Sequence, residues 1–378
     1  MEKPDATSFD INPTDPRDNP TDTVSSISWR NVTTSPPTFA VASWDSYIRL
    51  YQVDPENKTM DLQASLAAEA PSLCANWHED MTKLYAGLIS NEIQEFDIEM
   101  NKECLIGRHS EPVKDVFWMA NMGVLCSVSF DKMIRFWDVR QSGHIGEIRL
   151  KEKPICSDFY GTKLALGLTD QKVTVIDITE PQNMKGEVQI DYVDSPLGKR
   201  SPLNTIKFFA DGSGIGMGTV EGRCNIAKLG RTTAGFLKLD AILTWKSHKF
   251  AGPGEPERLY HVNAIDFNNK NAEMIHTAGG EGKIFFWNSR QKMKTVEFDF
   301  KRRPCTRIRS SPDGNLVAYA VGYDWARGIS EHMTMKAQVC VHVMKDEEFN
   351  YREPTHIKYG LQEMGEAKGR IHMHRLVV

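Results

Sequence analysis

Short runs rich in β-branched and aromatic residues follow one another along most of the chain, and turn-forming residues separate them. The clearest example lies in residues 129–140, which read SFDKMIRFWDVR. Ile134 and Phe136 supply the apolar side chains of a buried strand, and Asp131 stands in the turn before it. Runs of this kind at regular intervals predict an all-β fold built from short antiparallel strands.

The pairing of a turn residue with a residue six positions later recurs along the chain. In the example above the pair is Asp131 and Trp137, and Asp138 follows at once. A strand that ends in Trp-Asp after an acidic turn is the signature of one blade of a WD-repeat β-propeller, with a period of about 40–45 residues. The turn residues of the six recognisable repeats, some of them degraded, are Asp45, Ser90, Asp131, Asp170, Glu221 and Glu281.

These repeats predict a seven-bladed β-propeller of the WD-repeat type, a single closed ring over residues 24–344. The last two intervals between turn residues are longer than the 40–45 residues of one blade. This predicts inserted loops at residues 195–204 and 247–258. Four strands are predicted in each of the first four blades, the last of them at residues 188–193, and three strands in blade five.

The two ends of the chain are expected to lie outside the repeats. Residues 1–23 hold four prolines and five aspartates and predict a flexible N-terminal arm, and residues 345–378 form a charged tail. A ring needs a fastening strand, because an open edge leaves backbone groups unpaired. Residues 8–12 (SFDIN) and 370–378 (RIHMHRLVV) are the two candidates, and we favour the N-terminal one.

Blade three carries the residues that WD-repeat proteins place in one buried hydrogen-bond network. His109 precedes Asp131 by 22 residues, and Ser127 and Trp137 stand at the matching positions. We interpret these four residues as structural. An acid–base pair of His109 and Asp131 is the alternative, and the absence of a nearby nucleophile in the sequence disfavours it.

The composition narrows the classes of function. The chain has 46 basic and 50 acidic residues, a net charge of -4, and so lacks the basic footprint of a dedicated sequence-reading nucleic-acid binder. Its seven cysteines are scattered singly, which suits reduced thiols in the cytosol or nucleus. No apolar run approaches the length of a membrane span and the N-terminus is polar, so neither membrane insertion nor a signal peptide is expected.

No arrangement typical of a catalytic, cofactor or metal site stands out. Residues 279–283 (GGEGK) lack the spacing of a phosphate-binding loop and predict a turn. His372 and His374 share one strand face, but Leu376 follows them, so a third metal ligand is missing. An enzyme that used the central channel would need clustered titratable groups on the inner strands. Those strands are expected to be apolar and small, with Val41, Ala42, Val128, Ala165 and Ala278.

One face of the propeller is the best candidate for binding. The turn between the second and third strands of a blade and the link to the next blade emerge on the same face. Exposed aromatic residues beside Arg and Lys are typical of a peptide-binding hot spot. The alternative is that these aromatic residues only pack between neighbouring blades. The residues expected on this face are Trp44, Asp45, Phe130, Lys132, Glu221, Arg223, Glu281, Lys283, Tyr323, Asp324 and Trp325.

Five stretches together resemble the mRNA export factors, a family of WD-repeat propellers associated with the nuclear pore. They are SWDSYIRLYQVD, SFDKMIRFWDVR, GTVEGRCNIAKL, LYHVNAIDF and GNLVAYAVGYDWARG, and the resemblance extends over residues 21–344. The mitotic-checkpoint propellers are close relatives that share SWD…RLY, the EGR turn and YxVNAI. Residues 323–328 (YDWARG) resemble the YDWxxG of the export factors, whereas Asp45 and Tyr51 are nearer to the checkpoint version. Phe130 departs from the Trp common in both families.

The resemblance implies a non-catalytic scaffold, a monomeric propeller within a heteromeric complex, that binds a GLEBS-type peptide of an FG nucleoporin at this face. Arg223 aligns with the arginine of the EGR turn and is the expected partner of a motif glutamate, with Lys283 as second candidate and Glu221 orienting Arg223. The implied location is the nucleus and the nuclear envelope at the pore, with shuttling to the cytoplasm. The alternative is a spindle-checkpoint adaptor that binds GLEBS-type peptides of checkpoint kinases at kinetochores.

Contact with mRNA or a ribonucleoprotein is also implied, directly or through other proteins. The overall acidity predicts that any direct contact is local and does not read sequence. The candidate cations are Lys199, Arg200, Lys301, Arg302 and Arg303. A solvated basic loop is the alternative for residues 301–303.

Overall fold

The computed structural model describes residues 10–31, 36–179, 190–198, 201–250, 256–329 and 335–349, and the backbone of residues 357–359. Within this part of the chain, β-strands form seven separate sheets placed side by side, together with one small hairpin. Each blade is a meander in which consecutive strands pair antiparallel. The predicted seven-bladed all-β propeller is therefore confirmed.

The first five blades have four strands each. Blade one consists of β1 (Val24–Trp29), β2 (Thr38–Ser43), β3 (Tyr47–Asp54) and β4 (Thr59–Ala67), and blade two of β5 (Ser72–Trp77), β6 (Lys83–Leu88), β7 (Glu92–Asp97) and β8 (Lys102–Arg108). Blade three consists of β9 (Val113–Met119), β10 (Val124–Ser129), β11 (Met133–Trp137) and β12 (His144–Arg149), and blade four of β13 (Pro154–Tyr160), β14 (Lys163–Leu168), β15 (Lys172–Asp177) and β16 (Val193–Asp194). Blade five consists of β17 (Leu203–Phe208), β18 (Gly214–Thr219), β19 (Arg223–Arg231) and β20 (Leu237–Lys246).

The last two blades follow a two-stranded hairpin, β21 (Lys249–Phe250) and β22 (Arg258–Leu259). Blade six consists of β23 (Val262–Phe267), β24 (Met274–Gly279), β25 (Lys283–Asn288) and β26 (Met293–Asp299), and blade seven of β27 (Cys305–Ser310), β28 (Leu316–Val321) and β29 (Gln338–Val343). A short helix α1 (Asp346–Phe349) comes next, and β30 (Ile357–Tyr359) pairs parallel to β26 at the outer edge of blade six. A 3-10 turn at Pro16–Asp18 precedes the first blade.

Two outer strands differ from the prediction. In blade four the strand expected at residues 188–193 is reduced to Val193–Asp194, and the described residues 190–192 are not a strand. In blade five the fourth strand, β20, was not predicted, although it is ten residues long. Its residues are largely exposed, so packing imposes no strict alternation of apolar and polar residues on it.

The first strand of each blade contacts the first strand of the next, all the way round from β1 to β27 and back to β1. These strands therefore line the central channel. This corrects the expectation that strands with small, apolar side chains line the channel. Val41 and Ala165 lie in second strands and are completely buried. Second strands are apolar because neighbouring blades cover both of their faces.

The channel wall is polar and charged instead. Its described charged residues are Lys114, Asp115, Asp158, Lys207, Asp266, Arg307 and Arg309. Two ion pairs join neighbouring blades: Lys207 Nζ lies 2.9 Å from Asp158 Oδ1, and Arg309 Nη1 lies 3.2 Å from Asp266 Oδ1. Both carboxylates also accept backbone N–H groups of the next blade, at 2.8 and 2.7 Å. We interpret these two ion pairs as structural, because each carboxylate already accepts hydrogen bonds from the neighbouring blade.

The hydrogen-bond network predicted in blade three is confirmed. Ser127 Oγ lies 2.8 Å from His109 Nε2 and accepts Trp137 Nε1–H at 2.8 Å, while His109 Nδ1 lies 2.9 Å from Asp131 Oδ2. Burial disfavours the charged form of Asp131, yet hydrogen bonds from His109 and from Ser110 N–H hold the pKa of its carboxyl well below the usual range. The network ties the link before blade three to its central strands.

Blade six has a similar network that the sequence did not reveal. Trp287 Nε1–H donates to Thr277 Oγ1 at 2.9 Å, and His248 Nδ1 lies 2.7 Å from Glu281 Oε1. Glu281 is only 8% exposed, which corrects its expected place on the binding face. His248 precedes Glu281 by 33 residues instead of 22, because the β21–β22 hairpin is inserted between them.

The N-terminal segment lies at the seam between blades seven and one. Ile11 and Val341 exchange two backbone hydrogen bonds of 2.9 Å, so Ile11 extends the outer edge of blade seven. Thr14 N–H then donates to the carbonyl of Met60 in blade one. Of the two closing candidates, residues 8–9 and 370–378 lie outside the described residues.

Candidate peptide-binding face

The turns between second and third strands share one backbone geometry. In six blades the residue after the predicted turn position has a positive φ: Ser46 (66°), Asn91 (74°), Lys132 (67°), Gln171 (60°), Gly222 (72°) and Gly282 (85°). Where the turn residue is Asp, its carboxylate accepts the backbone N–H two residues later, at 3.1 Å in Asp45 and 3.0 Å in Asp131. This Asx turn explains why acidic residues recur at these positions.

Blade seven has the same turn, although Asp324 was not among the six repeat positions identified in the sequence. Asp324 Oδ1 accepts Ala326 N–H at 3.2 Å, and Trp325 between them has a φ of 63°. Asp324 lies 43 residues after Glu281, a spacing that could have identified it. A left-handed conformation is uncommon for so bulky a residue. We use the name turn face for the side of the ring that carries these seven turns and the links between blades.

Trp325 is held in this conformation by the N-terminal segment. Its Nε1–H donates to Thr23 Oγ1 at 3.1 Å, and Thr23 Oγ1–H donates to the carbonyl of Tyr323 at 2.8 Å. The side chain is nevertheless exposed, with Trp325 at 39%. A large aromatic group is therefore fixed and presented to solvent at the ring seam.

Tyr323 does not lie on the surface as expected. It is only 2% exposed, and its hydroxyl donates to the carbonyl of Gly328. Tyr323 therefore supports the loop from Asp324 to Gly328 from below and is not available for contact with a partner. This placement corrects the prediction for Tyr323.

A cavity of about 480 Å³ opens where the channel meets the turn face. Trp44 and Trp325 both line it, although they belong to blades one and seven. Trp44 is half-buried and its backbone N–H donates to the carbonyl of Thr23 at 2.9 Å. Phe130 is also half-buried, in the turn of blade three, and does not line this cavity.

Arg223 stands at the start of β19 and is exposed. Its backbone N–H donates to Thr219 Oγ1 at 3.2 Å, while its guanidinium makes no hydrogen bond or ion pair with any residue that the structure describes. Glu221 was expected to orient Arg223, but its carboxylate accepts a hydrogen bond from Ser201 Oγ at 2.6 Å. Arg223 is thus positioned by backbone alone and keeps its side-chain donors.

Two lysines of the predicted site already have carboxylate partners. Lys283 Nζ lies 2.7 Å from Glu297 and 3.4 Å from Asp299, and Lys132 Nζ lies 3.2 Å from Glu152. Although burial opposes it, the bond to Glu297 raises the pKa of Lys283. A glutamate from a partner would have to compete with these contacts.

The basic run at residues 301–303 forms the link from β26 to β27 and lies on the turn face. Lys301 and Arg302 are exposed and have positive φ values of 52° and 68°. Arg303 Nη2–H donates to Gln338 Oε1 at 3.1 Å. Lys199 and Arg200, the other predicted cations, lie outside the described residues.

Exposed apolar residues near blades six and seven were missed by the sequence analysis. Phe250 is 41% exposed, Leu259 47% and Ile329 78%. A second cavity of about 220 Å³ lies beside them, lined by Leu259, Asp324 and Arg302. The insertion before blade six was recognised, but nothing in the sequence showed that its two short strands would present Phe250 and Leu259 to solvent.

No three or more His, Cys, Asp or Glu side chains within the described part of the chain come together as a metal site. No helix within it has the length and hydropathy needed to cross a membrane.

Comparison with known proteins places the chain beside export factors. The family described as "WD domain, G-beta repeat" matches residues 102–138. The chain is 27% identical to the "Poly(A)+ RNA export protein" of Schizosaccharomyces pombe over 83% of its length and 86% of that protein. It is 26% identical to "mRNA export factor rae-1" of Caenorhabditis elegans, with 85% and 86% covered, and 26% identical to "WD40 repeat protein poxJ" of Penicillium oxalicum, with 89% and 94% covered. The resemblance to the export factors is thereby confirmed.

Proposed function

We propose that this protein is a non-catalytic scaffold in mRNA export that binds a GLEBS-type peptide of an FG nucleoporin on its turn face. The names of the export-factor relatives, which cover most of the chain, support the export role. The observation that carries the binding role is the turn face itself, which combines the exposed Arg223, unpaired among the described residues, with a fixed, exposed Trp325. With this role the protein acts at the nuclear pore and shuttles to the cytoplasm.

Arg223 is the proposed partner of a glutamate in the peptide. A guanidinium donates two parallel hydrogen bonds to a carboxylate, and such a pair strengthens when the docked peptide excludes water. Lys283 and Lys132 are weaker candidates, because each is already paired with carboxylates of its own blade or the next link. Glu221 contributes indirectly, through its hydrogen bond to Ser201.

Trp325 and Trp44 are the proposed apolar anchors. Both line the cavity at the channel mouth, so an apolar side chain of the peptide can enter between them. Aromatic residues that are held rigidly lose little entropy on binding and often supply most of the binding energy. Phe130 would extend the contact along blade three.

Contact with mRNA is proposed at Lys301, Arg302 and Arg303, with Lys199 and Arg200 as further candidates. The link at residues 301–303 adjoins the second cavity, where Arg302 contributes to the lining. Such contacts would bind phosphate without reading sequence, and so would weaken as salt is added.

Two arginines on one strand allow a matched test of the peptide site. β19 runs from Arg223, on the turn face, to Arg231, on the opposite side of the ring, and both are exposed. We expect wild-type protein and Arg231→Glu to recover FG nucleoporins from nuclear extract, and Arg223→Glu to recover few or none, because the reversed charge repels a peptide glutamate.

Other outcomes of this experiment are decisive as well. Recovery of checkpoint kinases in place of nucleoporins would reject the export role in favour of the checkpoint adaptor. Equal recovery by all three proteins would leave the export role standing and move the peptide site away from Arg223.

A further inference from the structure

The charges in the central channel do not balance. Asp158 is paired with Lys207 and Asp266 with Arg309, as described above. Asp115 is also occupied, since its Oδ2 lies 3.1 Å from Lys114 Nζ and accepts Ser157 Oγ–H at 2.5 Å. Arg307 remains, and its guanidinium forms no ion pair with any residue that the structure describes. Among the charged channel residues that the structure describes, Arg307 is therefore the cation without a carboxylate partner.

Two backbone contacts fix the position of this guanidinium. Its Nε–H donates to the carbonyl of Ser25 at 2.5 Å, and Nη1–H donates to the carbonyl of Thr306 at 2.6 Å. Ser25 belongs to blade one and Arg307 to blade seven, so the side chain spans the ring seam. Its Nη2 group has no partner among the described residues. A guanidinium that is already ordered loses little freedom when it binds a ligand.

The partly buried position of Arg307 makes the unpaired charge costly. Removal of water lowers the pKa of Arg307 to about 10, against the attraction of Asp115. A bound anion would offset this cost, since buried charges in proteins are normally paired.

The cavity of about 480 Å³ at the channel mouth gives such an anion room and further partners. Lys114, Arg307 and Thr306 all line it, together with Asn204 and Asn263. Asp324 also lines it, but its carboxylate accepts hydrogen bonds from Asn263 Nδ2–H and from Ala326 N–H, both at 3.2 Å. The hydroxyl of Thr306 is buried and has no hydrogen-bond partner in the described part of the chain. Unsatisfied polar groups beside a concave cavity are a common mark of a ligand site.

We propose that the mouth of the channel binds a small oxyanion, the phosphate group of inorganic phosphate or of a small phosphomonoester. Arg307 supplies the Nη2–H donors that have no partner among the described residues, and Lys114, which also contacts Asp115, lines the same cavity. Trp44 and Trp325 line the outer part of the same cavity and would cover the organic portion of an ester. The site needs no nucleoporin, but it shares Trp44 and Trp325 with the peptide site proposed above.

The test titrates inorganic phosphate and phenyl phosphate into the full chain at constant ionic strength, with calorimetry as the readout. Arg307→Met removes the guanidinium, and Lys102→Met removes an exposed cation of β8 outside this cavity. We expect saturable binding to wild type and Lys102→Met, and binding at least about tenfold weaker in Arg307→Met. Tighter binding of phenyl phosphate would identify an ester as the ligand class, and equal binding the free anion. No saturable binding to wild type, or equal affinity in Arg307→Met, would reject the site.

Arg307→Met also removes the contact with Ser25 across the seam, so a second variant keeps the test valid if that protein fails to fold. Ser26→Asp leaves Arg307 in place and adds a carboxylate to the adjoining part of the channel, which Ser26 and Arg307 both line. We expect this internal anion to abolish phosphate binding while thermal stability is kept. Phosphate affinity unchanged in Ser26→Asp would contradict the proposal.

Discussion

Trp325 shows how one residue departs from the pattern of its fold. The other six turns place Ser, Asn, Lys, Gln or Gly at the left-handed position, whereas blade seven places Trp there. A strained conformation costs about 1–3 kcal/mol and persists only when the surroundings hold it, here through Thr23. The indole is exposed although its backbone conformation is strained, and this supports a role of Trp325 in binding.

Replacement of Trp325 by glycine separates binding from stability. Glycine adopts a φ of 63° without strain, so relief of strain should offset the lost bond to Thr23. We expect nucleoporin binding to fall by about tenfold or more, the effect of losing a central aromatic anchor, with a melting temperature within a few degrees of wild type. Quantitative pull-down and thermal unfolding measure the two effects.

Tyr160→Ala is the matched control for that experiment, because Tyr160 is 41% exposed on the opposite side of the ring, at the end of β13. It should bind normally. Full binding by Trp325→Gly would mean that the indole is not an anchor.

At the scale of the element, blades three and six are each secured by a Trp–hydroxyl–His–acid network, but with different connections. In blade three Ser127 bonds both Trp137 and His109. In blade six Thr277 bonds Trp287 and Ser247, and His248 Nε2 has no partner among the described residues. The network of blade three is therefore the more completely satisfied one.

Ser127→Ala should destabilise the protein. The change leaves the indole N–H of Trp137 and one nitrogen of His109 buried without a partner, which costs about 1–3 kcal/mol for each group. Chemical denaturation would show a lower free energy of unfolding, whereas Ser142→Ala, at an exposed position of the same blade, should change it little. Equal stability of the two variants would show that the network contributes little.

At the scale of the whole molecule, His342 joins the N-terminal segment and α1 to the ring. Its Nδ1 lies 2.8 Å from Asp10, in the N-terminal segment, and its Nε2 lies 3.1 Å from Glu348, in α1. Burial favours the neutral imidazole, but these two carboxylates outweigh it and raise the pKa of His342 to about 9. Tyr319, which donates to Asp10 at 2.6 Å, and the buried His276 are further titratable groups near it.

This arrangement predicts a loss of stability in mild base. The folded pKa lies above the unfolded value of about 6.5, so the stabilisation is complete below pH 6.5 and is lost as the pH rises through about 9. The loss should be about 2–3 kcal/mol, measured by denaturation between pH 6 and about 10. Asp10→Asn should weaken this dependence, because one of the two carboxylates that hold the proton is gone. An identical pH profile in that variant would contradict the role of His342.

The blade pattern could be predicted from the sequence because it is local. The second strands of blades one to four have the predicted bounds, among them Thr38–Ser43 and Lys163–Leu168, since apolar runs between turn residues mark them. Blade three's network followed from residue types at fixed spacing. The network of blade six was not predicted, because an insertion changed the number of residues between His248 and Glu281. The burial of Tyr323 was not predicted either, because it depends on the loop that packs over this side chain.

The sequence by itself determined the seven-bladed ring, the face that carries the turns, and Arg223 as a residue of that face, because turn chemistry and strand periodicity act over a few residues. Only the tertiary structure decided which side chains are free to bind. It paired Lys283 with Glu297, fixed Trp325 against Thr23, and left Arg307 without a carboxylate partner among the described residues. These outcomes depend on contacts between residues far apart in the chain, and no local pattern of amino acids specifies them.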